Sequence, residues 1–148
     1  MVARLLLAAI LGALIGIERE WRDRPAGLKT HMMVCLASAV FTIVAIELVN
    51  APPFAGENVQ MDPSRLVEAI TGGVAFLAAG FIVLSRGEVQ GITTGAGMWL
   101  AGAVGLAAGL GLWQIAVTAS VMALAIFVAI HRMQLVLRRG PPESAPLE

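Results

Sequence analysis

The chain has 148 residues, 58% of them apolar and 14% charged, and its ten basic and ten acidic side chains balance to zero. A soluble domain carries about 25% charged residues because its surface must face water, so this composition, with a mean hydropathy of +0.84, excludes a soluble enzyme. The basic residues sit in short stretches beside apolar runs, which excludes a nucleic-acid surface, and a single cysteine, Cys35, excludes an intrachain disulfide or a Cys-based zinc site.

Five apolar segments approach the roughly 20 residues that a membrane-spanning helix needs. The first runs from about Val2 to Ile17, interrupted by Arg4, which can snorkel to the interface. No small-residue cleavage site lies between Gly12 and Glu20, so the segment is expected to be a retained helix rather than a signal peptide. Ala8, Gly12 and Gly16 recur every four residues, a small-residue stripe of the kind that lets helix backbones approach closely in lipid.

A charged run, Glu18 to Arg24, follows directly. Carboxylates at a helix C-terminus face the negative end of its dipole, at a cost of ~0.3–1 kcal/mol each. Nearby arginines or Lys29 are expected to offset Glu18 and Glu20, or a cation is shared between Glu18 and another carboxylate. Glu18 and Arg22 are four apart, the favourable order for an ion pair. The plainer reading is a solvated interfacial cluster anchored by Trp21. Pro25 pushes Arg24 out of helical geometry and ends the stretch.

The second segment runs from about His31 to Val49, with His31 expected as a cap or a lipid-facing group and Glu47 near the far end. Asn50 to Met61, containing Pro52, Pro53 and Gly56, has a loop composition. The third segment, about Arg65 to Leu84, opens on Asp62 as N-cap and Pro63 at the first helical position. Arg65 and Glu68, three apart, can pair. A charge deep in the bilayer costs ~2.5–3.5 kcal/mol and then marks a functional path, which makes Glu68 a candidate for an ion or proton route.

The fourth segment, about Gly91 to Leu110, carries a second stripe, Gly97, Ala101, Gly105 and Gly109, and two hydroxyls, Thr93 and Thr94, expected to bond back to their own helix. The turn from Gly109 to Trp113 separates it from the fifth, about Leu112 to Ile130. The stripes predict static packing or dimerisation ahead of a mobile transporter seam. Residues 1–137 form one transmembrane domain in this reading, and the Pro-rich residues 138–148 a disordered tail.

Loop charge predicts orientation. Arg19, Arg22, Arg24, Lys29, Arg86, Arg132, Arg138 and Arg139 fall on one side, and only Arg4 and Arg65 on the other. Positive loops stay inside, so the N-terminus is placed outside and the C-terminus in the cytoplasm. That requires an odd number of spans: an all-α bundle of about five helices in a bacterial inner membrane.

The blocks GALIGIERE (residues 12–20), PAGLKTH (25–31), DPSR (62–65), GVAFLAAG (73–80) and VQGITT (89–94), with Trp99 and the Gly/Ala run to Gly111, resemble the MgtC/SapB family of bacterial membrane proteins. The resemblance covers about Leu5 to Ala125. Glu18, Glu20, Pro25, Gly27, Thr30, His31, Asp62, Arg65, Thr93, Thr94 and Trp99 fall on its pattern. The sequence departs from it with Ala78 in place of Gly, Lys29 in place of Arg, and no Gln near Ala69, where Glu68 supplies a carboxylate.

The resemblance implies a membrane domain of about five helices tied to growth under low magnesium and to survival inside host cells, acting as a regulator of membrane energetics or ion balance. Many members add a cytoplasmic ligand-sensing domain; the chain ends soon after the fifth segment, so none is expected within it. No nucleophile–base pair, phosphate loop or Cys/His spacing suggests an enzyme. The leading expectation is a non-enzymatic modulator of magnesium-linked ion homeostasis or of a partner membrane complex, working as a homodimer packed through its stripes. The alternative is a transporter or channel for a cation such as Mg²⁺ using Glu18, Asp62 or Glu68, with Glu20, Thr93 and Thr94 as further ligand candidates, since hard cations need several oxygen ligands. A scaffold that binds a partner's membrane segment is the third.

Overall fold

The structure, a computed structural model, describes residues 1–51, 62–85 and 88–138. Five helices, α1 (Val2–Glu20), α2 (Leu28–Val49), α3 (Pro63–Ala79), α4 (Ile92–Leu110) and α5 (Trp113–Arg138), are joined by a short antiparallel hairpin, β1 (Val83–Ser85) and β2 (Glu88–Gln90), between α3 and α4. Three of them, α2, α4 and α5, are long and apolar enough to cross a membrane. The others fall short for visible reasons: α1 carries Arg4, Glu18, Arg19 and Glu20, and α3 has 17 residues.

Helix α4 is the hub, packed against α1, α2, α3 and α5. Backbone contact explains why. A Cβ on Gly105 would overlap the carbonyl of Cys35 on α2, and one on Gly109 would lie 2.8 Å from the Ala39 carbonyl oxygen. On α1, a Cβ on Gly12 would come within 2.8 Å of the His31 carbonyl oxygen, and one on Gly16 within 2.8 Å of Leu28 Cα. Ala101 is fully buried. In lipid, helices associate through such close approach rather than through burial of Leu. Large apolar side chains such as Phe41, Phe76 and Ile126 point outward instead, as they can when the solvent is itself apolar.

Of the two expectations for the stripes, static packing is what the structure shows. Gly12, Gly16, Gly97, Ala101, Gly105 and Gly109 are buried against helices of the same chain. Among the described residues, the glycines that stand open are on α3, with nothing near a Cβ on Gly72 or Gly73.

The ends of the elements also differ from the sequence reading. Helix α3 stops at Ala79 rather than Leu84, and the chain turns into the hairpin. Gly91 closes this detour in a left-handed conformation (φ 87°), with the Phe81 carbonyl where a Cβ would stand; only glycine fits both conditions. Helix α1 continues to Glu20, and its connection to α2 turns before Pro25, with Asp23 at φ 50° and the Arg24 N–H donating to the Arg19 carbonyl. Helix α2 begins at Leu28, and α5 runs to Arg138.

The α4–α5 turn falls within Gly109–Trp113 as expected, made by Gly111 at φ 83°. Arg4 does more than snorkel: its guanidinium donates to the Gly109 carbonyl at 3.0 Å, closing the C-terminal end of α4. Asp62 caps α3 as expected, accepting from the Ser64 N–H at 2.9 Å. The expected loop with Pro52, Pro53 and Gly56, the basic residues Arg86 and Arg139, and the tail beyond Arg138 lie outside the described residues.

Candidate functional site

Charge is sealed into one end of the bundle, where the C-terminal end of α1 meets the N-terminal ends of α2 and α4. Glu18 and Arg19 are 5% and 4% exposed, and His31 and Thr94 are 0% and 2% exposed. The buried face of α1 runs Ala8, Leu11, Gly12, Ile15, Gly16, Glu18 and Arg19, so the small-residue stripe carries its charged continuation inward. Ion pairing makes that burial tolerable. Arg22 Nε lies 2.5 Å from a Glu18 carboxylate oxygen, the expected i,i+4 pair, and Arg19 lies 4.0 Å from the other oxygen. The Arg22 contact is an ion pair without hydrogen-bond alignment, so both Glu18 oxygens keep free lone pairs.

Arg19 then crosses the bundle. Its Nη2 donates to the Thr94 hydroxyl at 3.4 Å, and its guanidinium carbon sits 4.8 Å from the centre of the Phe127 ring on α5. Thr94 therefore faces a guanidinium from another helix, not the backbone of its own as expected. His31 Nδ1 donates to the Gly27 carbonyl at 2.9 Å. Its ring is buried beside Gly97, which replaces the expected interfacial position.

Arg19 is the residue that the sequence reading missed. The signal was present: it lies three residues past Gly16, on the stripe that starts at Ala8. Glu18 and Arg19 are in phase with the packing face of α1 and are drawn into the interior with it.

The neighbouring connection has a structural task. Glu20 accepts the Leu28 N–H at 2.8 Å and so caps α2. Gly27 presses against the Glu20 carboxylate, which a side chain there would displace. Glu20, Asp23, Arg24, Pro25, Gly27, Lys29 and Thr30 line an open cleft of about 390 Å³ at this end. Lys29 is exposed and makes no ion pair among the described residues.

The remaining expected site residues are not brought here. Val74 packs on Gly102, and Ala78 on Gly95 next to Thr94, so α3 runs antiparallel to α4 and its start lies at the opposite end. Asp62, Arg65 and Glu68 are exposed there. Arg65 sits 3.9 Å from Asp62 rather than pairing with Glu68. The two hydrogen bonds from Ser64, hydroxyl and N–H, hold the Asp62 carboxyl below its ordinary range. Thr93 and Trp99 face outward on α4. Among the described residues, no three His, Cys, Asp or Glu side chains converge as a metal cage.

Helices joined by glycine contacts, apolar residues turned outward and an ion-paired group sealed at one end define a membrane protein of the helical-bundle class. The MgtC family profile matches residues 5–135, and the chain belongs to that family. The "Putative magnesium transporter YhiD" of Escherichia coli (strain K12) is 36% identical over 132 residues, covering 89% of this chain and 61% of the relative. "Protein SrpB" of Synechococcus elongatus is 37% identical over 139 residues, covering 88% and 75%. "Protein MgtC" of Salmonella typhimurium (strain LT2) is 36% identical over 123 residues, covering 83% and 49%. The chain thus spans about three fifths of the first of these relatives and half of the last. No solved structure matches it.

Proposed function

We propose that this chain is a non-enzymatic inner-membrane protein that modulates magnesium-linked ion homeostasis, acting on a partner membrane complex. It crosses the bilayer five times, with the N-terminus outside and the α1–α2 connection and C-terminus in the cytoplasm. Family membership, a relative named for magnesium transport and the basic residues gathered at one set of loops support this reading.

The observation that favours modulation over transport is the condition of Glu18, the one buried carboxylate among the described residues. Glu18 has Arg22 at 2.5 Å and Arg19 at 4.0 Å. Mg²⁺ demands octahedral oxygen ligation and gives up its waters reluctantly. Two guanidinium groups beside a single carboxylate oppose a dication there. Asp62 and Glu68 lie at the other end and add no ligand to it.

Mg²⁺ uptake into proteoliposomes tests the proposal. The expected result is uptake equal to protein-free vesicles, together with a stoichiometric partner recovered from native membranes. Uptake that Glu18→Gln abolishes would overturn it in favour of a transporter. A reporter fused after Leu135 is expected to read as cytoplasmic; a periplasmic signal would overturn the orientation.

A further inference from the structure

Four polar atoms in the interior, among the described residues, lack a hydrogen-bond partner: both carboxylate oxygens of Glu18, Nε of Arg19 and Nε2 of His31. They belong to three side chains each at least 95% buried, drawn from the ends of α1 and α2 where these meet α4 and α5. A buried polar group left unpaired is costly, and folded proteins retain few. Several unpaired atoms from three neighbouring residues point to an occupant.

The chemistry of that occupant follows from the tautomer of His31. Nδ1 lies 2.9 Å from the Gly27 carbonyl oxygen, which only accepts, so Nδ1 carries the proton. Nε2 of the neutral ring is then a bare lone pair. It faces Gly97, where a Cβ would lie 3.1 Å from Nε2 and 3.6 Å from the Phe127 ring. The same ring lies under the Arg19 guanidinium. Gly97 thus packs directly against the imidazole, next to the ring that carries the arginine.

We propose that water, one molecule or a short chain, bridges Arg19 Nε, the Glu18 carboxylate and His31 Nε2. The unpaired set is one donor and several acceptors. Water matches it: it accepts from Arg19 Nε–H and donates one hydrogen to Glu18 and the other to His31. Buried waters typically make about three hydrogen bonds. An anion would meet the lone pairs of Glu18 and His31, and a metal cation the guanidinium groups of Arg19 and Arg22. Arg22, partly exposed beside Glu18, marks the route to bulk solvent.

The test is solid-state NMR of the full chain in liposomes, with ¹⁵N-labelled histidine and magnetisation transferred from water. His31 Nε2 is expected to appear as an unprotonated, hydrogen-bonded nitrogen that receives magnetisation from water, as does the ring of the partly exposed His131. Gly97→Ala places a methyl group 3.1 Å from Nε2, where it crowds water from that nitrogen, and is expected to abolish the transfer at His31 while leaving His131 unchanged. A wild-type Nε2 that is protonated, or that receives nothing from water, overturns the proposal even where the variant fails to fold. Undiminished transfer in a folded Gly97→Ala protein overturns it as well.

Discussion

The guanidinium of Arg19 on α1 lies over the ring of Phe127 on α5, 4.8 Å from its centre, while its Nη2 reaches Thr94 on α4. One side chain therefore ties together three helices at the end where the charge is buried. A desolvated cation over an aromatic face gains about 2 kcal/mol, and the adjacent Glu18 supplies the opposite charge.

Removing that side chain leaves Glu18 beside a cavity with only Arg22. Arg19→Ala is expected to lower stability by about 2–3 kcal/mol, the scale of a lost charged hydrogen bond. Arg19→Lys should recover only part of this, because an ammonium keeps the charge but not the planar contact with Phe127. Thermal unfolding in detergent, followed by circular dichroism, would rank the three proteins. Equal midpoints for wild type and Arg19→Ala would show that the contact does not stabilise.

Two glycine substitutions separate packing from helix propensity. Gly105→Ala drives a methyl group into the Cys35 carbonyl, and overpacking of this kind costs about 1–3 kcal/mol or more. Gly72→Ala meets nothing and should be neutral or stabilising by up to ~1 kcal/mol through helix propensity. The same unfolding measurement compares them, and the order Gly105→Ala below wild type, with Gly72→Ala at or above it, is the expected outcome.

Glu20 caps α2 from the end of α1. Glu20→Ala should cost about 1 kcal/mol, as loss of an N-cap acceptor does, while Glu20→Gln keeps an acceptor oxygen and should cost less. Hydrogen exchange at the Leu28 amide reads the effect locally, with faster exchange in the alanine variant.

At the opposite end, Arg4 holds the Gly109 carbonyl. Arg4→Ala removes one hydrogen bond and is expected to cost about 1 kcal/mol, seen as faster exchange of the Gly111 and Leu112 amides that close the α4–α5 turn. Unchanged exchange would leave Arg4 as a simple interfacial residue.

The Asp62 cap gives a pH dependence of known sign. Its carboxyl is held below the ordinary aspartate range by hydrogen bonds from the Ser64 hydroxyl and N–H. The native state therefore favours the ionised form, so the contribution is complete above the unfolded-state value and is lost as pH falls through the lower, folded one. The Ser64 amide should lose exchange protection only in that acid window. Asp62→Asn, which keeps an acceptor without the titration, should flatten the profile.

Much of this molecule is written locally. Each apolar run is long enough to set a helix by itself, Asp62-Pro63 opens α3 through its own side chain and ring, and the Gly109–Trp113 turn marks itself by composition. The four-residue spacing of glycines likewise states that backbones must touch, because in lipid nothing else draws helices together so closely. Family membership follows from the same ordered blocks.

Tertiary structure alone decided which backbones touch, and hence that the stripes serve the chain's own fold. It also ended α3 at Ala79 and placed Val83 and Leu84 in strand β1, with Gly91 held against the Phe81 carbonyl. Above all it buried Arg19 and His31. A charge run next to an apolar segment is indistinguishable in sequence from a solvated interfacial cluster, since the burial of Arg19 depends on Thr94, Gly97 and Phe127, between 75 and 108 positions away along the chain. Only once α4 and α5 close over α1 and α2 does that end of the bundle lose its water-facing surface, and the ion pair becomes an interior group.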